Sequence, residues 1–232
     1  VQGEPVGVQG VVDNESGELV GLEIVVSENE EEVLAVIRQV VEEVEAEVIV
    51  SDDLDVYKAV ADQVGVAHQI CRSHVKRNVD ELTERIGKQA QKQRRAPEGV
   101  ASSPERLEAD LQTLRQLVRA RPADGGRCLE RLYQRYKGAP APKKGQRQSA
   151  WYRTRMLITR LWDRWPRLTL DQHRDDLDGT NNASERLIGW WIKERYRTMR
   201  GYKRSQSIRN VVTLTARMGV RSGHYDMTEL YN

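Results

Sequence analysis

The chain has 232 residues, enough for one large domain or for a domain that carries an insertion. Its composition, 38% apolar and 31% charged, is that of a globular protein; no apolar run reaches the roughly 20 residues of a membrane helix, no secretory signal opens the chain, and two cysteines, Cys71 and Cys128, build no disulfide framework and fit a reducing compartment. The net charge of +2 hides an asymmetry, because residues 1–64 hold 17 Asp and Glu against only Arg38 and Lys58, whereas the rest of the chain holds 35 Lys and Arg against 18 Asp and Glu, a balance that directs the basic part toward nucleic acid.

The Val-rich runs Val6–Val12 and Leu19–Val26, separated by the turn residues Asp13 to Gly17, predict a β-hairpin. Gly3-Glu4-Pro5 reads as an earlier turn, so the sheet is expected to begin before Val1. Ser27 to Glu47 predicts a helix, with Ser27 as cap, acidic residues in its first turns and an apolar stripe from Val33 to Val44. A strand at Glu47–Val50, a helix at Leu54–Val64 and a strand at Val66–Ile70 follow. A hairpin followed by βαβ crossovers is the signature of an α/β fold.

From Arg72 the pattern turns helical and basic. A helix is expected from Arg72 to about Gln93 and another from Ser103, with Pro104 at its first position and Leu107, Leu111, Leu114 and Val118 on its apolar face. A loop at Pro122–Gly126 and a short helix at Cys128–Tyr136 come next. Gly138–Gly145 reads as a flexible linker, and a helix from Ser149 is expected to stop before Pro166.

Candidate chemistry lies in three places. Asp52 ends a predicted strand, where open α/β sheets place their ligands, although Ser51-Asp52-Asp53 equally reads as a cap for the next helix. His68, Cys71 and His74 cluster at a strand-to-helix junction; a structural zinc site needs four ligands, so the cluster is expected to be a buried thiol with a hydrogen-bonded imidazole, without zinc. The third is the stretch Asp178 to Arg200. Turn residues including Asn181 lead to Asn182, an expected N-cap, with Glu185 three residues later on the first turn of a helix. That placement suits a metal-binding carboxylate and also a simple capping box. Arg186, Lys193, Arg195, Arg197 and Arg200 surround it with charge, and Trp190 and Trp191 add aromatic faces that stack on bases or fill a core. Arg72, Lys76 and Arg77 supply a second basic cluster suited to phosphate.

Taken together, the hairpin GEPVGVQGVVDNESGELVGLEIV, the segments VIVSDD and HQICRSHVKRN, a helical insertion and TNNASERLIGWWIKERYRTMRG resemble the catalytic domain of DDE transposases, above all the bacterial relatives of the Mutator-like elements that carry a C-x2-H motif. The resemblance implies an RNase H-like five-stranded mixed sheet with flanking helices, interrupted by an all-helical insertion. It divides the chain into core at 1–76, insertion with DNA contacts at 77–176, core at 177–219 and a tail at 220–232. It makes Asp52 and Glu185 catalytic metal ligands for two Mg2+ or Mn2+ ions and puts the first Asp upstream of Val1, which would leave the fragment alone inactive. It further implies double-stranded DNA as substrate, transposon ends and target alike, a homodimer or larger assembly on that DNA, and a place in the prokaryotic cytoplasm on the nucleoid. A nuclease or resolvase without strand transfer, or a DNA-binding remnant, are the alternatives.

Overall fold

The computed structural model describes residues 7–25, 30–93, 95–98, 100, 102–186, 210, 211 and 214. The described residues form a mixed α/β chain, mostly helical, with two small sheets. They divide into two compact units: one takes the residues up to His68 together with those from Asn181, the other is Gln69–Thr180.

The first unit opens with β1 (Gly7–Val12) and β2 (Leu19–Val25), an antiparallel hairpin in the register Gly7↔Val25 to Val11↔Gly21. Its turn is closed by the Asp13 carboxylate, which accepts from the Ser16 amide and hydroxyl, both at 2.6 Å; these bonds hold the Asp13 carboxyl below its ordinary pKa. Gly17, at φ +74°, takes the left-handed position that the loop needs. Helix α1 spans Glu30–Val44 among the described residues, and the expected cap Ser27 lies outside them. It buries Val33, Ile37 and Val40, and Val40 comes so close to Gly21 that a Cβ there would sit 2.6 Å from its Cγ2. Strand β3 (Val48–Ser51), helix α2 (Asp55–Val64) and strand β4 (Ala67–Ile70) make the crossover unit. The Ala67 amide donates to the Glu47 carbonyl at 3.0 Å, so the two strands begin side by side, as a βαβ unit requires. The single five-stranded sheet expected from the resemblance is absent among the described residues, where β1–β2 and β3–β4 are separate pairs.

The second unit is helical. It contains α3 (Arg72–Gln93), α4 (Pro104–Ala120), α5 (Gly125–Tyr136), α6 (Ala150–Leu168) and a 3-10 turn at Leu170–His173. Their apolar stripes meet in one core that includes Val75, Ile86, Leu107, Leu111, Leu129 and Ile158, with Trp151 fully buried. A polar network runs from the surface into it: the Asp110 carboxylate accepts from half-buried Arg135 at 2.6 Å and from the Tyr136 hydroxyl at 3.0 Å, while the Trp151 indole donates to the Ser102 carbonyl at 3.0 Å. Burial raises the Tyr136 phenol above its ordinary pKa.

Three expectations fail here for identifiable reasons. Helix α5 begins at Gly125 instead of Cys128, because the missing side chain of Gly125 admits the Trp165 ring. Helix α6 runs through Pro166 to Leu168, since buried Trp165 and Leu168 anchor the last turn and Thr169 satisfies the Trp165 carbonyl through both its amide and its hydroxyl. The segment after α5 is pinned as well as linking: Ala139 is buried, and Arg155 donates to the carbonyls of Ala139 at 2.6 Å and Lys137 at 3.2 Å.

Candidate active site

Asp52 follows β3 directly and is half-buried; Asp53 beside it is buried. The next helix takes Leu54 as its N-cap, without a side-chain capping bond, so neither Asp52 nor Asp53 occupies the cap position. Ser51, the last residue of β3, donates its hydroxyl to the Asp52 carbonyl at 3.0 Å and also meets His68 Nε2 at 2.8 Å. His68 thus spans from β4 to β3 and secures the strand end that presents Asp52.

Glu185 lies on α7 (Asn182–Arg186), and its side chain is exposed. The Glu185 amide donates to the Asn181 carbonyl at 3.0 Å, which makes Asn181 the N-cap and corrects the expectation that Asn182 holds that position. Glu185 is then the fourth helical residue, one place beyond where a capping box puts its acid, so its position is not that of a box. Helix α7 lies against β1, and both belong to the same compact unit as Asp52.

Cys71 is fully buried as a free thiol at the start of α3, and His74 is half-buried one turn on. Among the described residues no group of three or more His, Cys, Asp or Glu is gathered closely enough to cage a metal ion. Of the proposed phosphate contacts, Lys76 and Arg77 are exposed on α3. Arg72 is engaged elsewhere: it pairs with Asp178 at 3.5 Å and with Asp171 at 3.9 Å, and its amide donates to the Gly179 carbonyl at 3.1 Å. Asp171, whose side chain is 6% exposed, is held at 2.5 Å by Arg121 and fills the space beneath Gly179, where a Cβ would sit 2.5 Å from its carboxylate. This joint was not legible in the sequence, because its members are scattered over the start of α3, the C-cap of α4, the 3-10 turn and the loop before α7. Arg186 belongs to α7, while Trp190, Trp191, Lys193, Arg195, Arg197 and Arg200 lie outside the described residues. Of the earlier tryptophans, Trp151 and Trp165 fill the core and Trp162 is 39% exposed, tilted against Tyr133 with ring centroids 6.0 Å apart.

Residues 29–198 match the family model described as "Transposase IS66 family". The chain belongs to the IS66 transposase family. The match takes in Asp52, the Cys71–His74 motif and Glu185, and it supports IS66 in place of the Mutator-like relatives that the C-x2-H motif suggested. No curated protein and no solved structure was found to match. Membership of the IS66 family makes the chain part of a transposase, a DNA-processing protein whose partner is DNA. None of its described helices is long and apolar enough to cross a membrane.

Proposed function

We propose that this chain is the catalytic domain of a DDE-type transposase, with an RNase H-like core from residues 1–76 and 177–219, a helical insertion at 77–176 and a tail at 220–232. The observation that carries the reading is the family match spanning both Asp52 and Glu185, two carboxylates far apart in sequence that fold into one compact unit. Asp52 stands at a strand end and Glu185 on the first turn of a helix that rests on β1.

The donor set suits magnesium or manganese. Both groups are hard oxygen ligands, and magnesium is commonly held by one or two carboxylates completed by water and phosphate oxygens. Ions bound there would neutralise charge at the scissile phosphate and make water and the freed 3′-hydroxyl better nucleophiles. The work of the chain itself is placement. Asp52 and Glu185 set where the phosphodiester is held, Lys76 and Arg77 draw the phosphate backbone to α3, and Arg186, Lys193, Arg195, Arg197 and Arg200, which follow Glu185 in the sequence, add positive charge for it. Trp190 and Trp191 offer faces to bases. Double-stranded transposon-end and target DNA are the substrates, and two or more copies assemble on them.

The test uses the full-length transposase. Asp52→Asn and Glu185→Gln should each lower end cleavage by on the order of 10³-fold, the scale of losing a principal charge-stabilising group, with affinity for end DNA nearly unchanged. Cleavage at the parent rate in either variant would sink the assignment. Cleavage without end joining in the parent protein would instead identify a nuclease or resolvase.

A further inference from the structure

Ser51 carries one hydroxyl proton and has two partners, the Asp52 carbonyl at 3.0 Å and His68 Nε2 at 2.8 Å. A carbonyl oxygen only accepts, so the bond to Asp52 is made when the Ser51 hydroxyl donates its proton there. The Ser51 oxygen is then the acceptor for His68, and His68 must carry a proton on Nε2. Both residues are buried, Ser51 at 7% and His68 at 4% exposure, so water competes poorly for either bond. With the Ser51 proton on the Asp52 carbonyl, the chain runs from His68 through Ser51 to Asp52 and needs the proton on Nε2 at its head.

Its consequence falls on the backbone. Holding the Asp52 carbonyl fixes the plane of the peptide between Asp52 and Asp53, and with it the ψ angle of Asp52. No regular ladder does this job, because β3 ends at Ser51 and α2 begins only at Asp55. The Asp52 side chain leaves from that same α-carbon, so a peptide that can swing would let its carboxylate swing.

We propose that His68 is a positioning residue for Asp52, acting through the Ser51 hydroxyl. The inference rests on Asp52 being a metal-binding carboxylate as proposed above, and it gives His68 a role beyond packing at the strand-to-helix junction. Outer groups that orient a ligating side chain typically contribute about 10–100-fold in metal affinity or activity.

In the full-length transposase, Ser51→Ala and His68→Leu should lower kcat for end cleavage by about 10–100-fold and weaken Mn2+ binding, read by calorimetry, over the same range. The Kd for end DNA should stay within about twofold of the parent. His68→Gln, which keeps an N–H donor at similar reach, should recover most of the loss. Nitrogen-15 NMR of the parent should show His68 protonated on Nε2. If His68→Leu does not fold, Ser51→Ala and His68→Gln decide the matter, with thermal unfolding confirming that both are native. Parent-like kcat and Mn2+ affinity in Ser51→Ala, or a His68 Nε2 without a proton, would overturn the inference. Should Asp52→Asn cleave normally, the reading of Asp52 itself fails, a result distinct from a silent Ser51→Ala beside a dead Asp52→Asn.

Discussion

Cys71 shows what burial does to a reactive side chain. Its thiol is fully enclosed immediately before α3, where sulfur packs as a small apolar group. Cys71→Ser puts a hydroxyl where the surroundings suited sulfur, and the expected cost is about 1–3 kcal/mol of stability, measured by denaturant unfolding. Metal analysis of the purified parent protein should find no stoichiometric zinc; zinc that is present in the parent and lost in this variant would show the thiol to be a ligand. The residues of the polar network around Asp110 were invisible at this scale in the sequence. Asp110 sits in a helical stripe of leucines, and nothing in its neighbourhood along the chain announces Arg135 or Tyr136 as partners, which come from the next helix.

At the scale of elements, periodicity was most reliable where the apolar stripe was long. The bounds of α3 agree with the sequence reading at both ends, and the α4 cap is as expected, the Ser103 hydroxyl accepting from the Arg106 amide at 3.2 Å. The failures cluster where a distant side chain overrules a local rule. Gly125 reads as loop until the Trp165 ring is placed against it, and Pro166 reads as a stop until Trp165 and Leu168 are seen to be buried on either side. The same contact yields a test. In Gly125→Ala the new Cβ would lie 2.0 Å from Trp165 Cζ2, a distance no side chain tolerates, so α5 and α6 must separate or the indole must move. Overpacking of this kind costs about 1–3 kcal/mol, and the thermal unfolding midpoint should fall accordingly. An unchanged midpoint would mean that the α5–α6 contact is not as tight as described. The cap of α7 is ambiguous in the sequence by one residue because Asn181 and Asn182 are both good caps, and only the Glu185 amide distinguishes them.

Across the whole molecule, the charge imbalance was legible before any fold was, and the structure refines which cations remain for a partner. Several on α3 are spent internally: Arg85 pairs with Glu81 at 3.2 Å and Lys88 with Glu84 at 2.5 Å, each one turn apart on the helix. Lys76 and Arg77 stand exposed nearer its start. Affinity for DNA should therefore fall steeply with salt, and Arg77→Glu should reduce the slope of log K against log salt by about 1, the share of one phosphate contact. A slope identical to that of the parent protein would remove Arg77 from the interface. What the sequence could not show was the pairing of strands. Hairpin and crossover are each written in local patterns, whereas the order of strands in a sheet depends on contacts between distant residues, and the described strands form two separate pairs.

The clasp between Gln69 and the end of α6 bears on how such a chain can change over generations. The Gln69 amide donates to the Leu168 carbonyl at 3.4 Å and accepts from the Asp171 amide at 2.9 Å, and the Arg72 amide meets the Gly179 carbonyl at 3.1 Å. Entry and exit of the helical unit are thereby fastened to each other, and everything from Ser73 to Arg167 is an excursion that returns to its starting point. Its exposed turn at residues 143–146, with Gly145 at φ +83°, can lengthen at small entropic cost, about 0.6 kcal/mol for each doubling of a flexible loop, while the fastening is untouched. A longer turn at that tip would leave the bonds at the base of the helical unit in place.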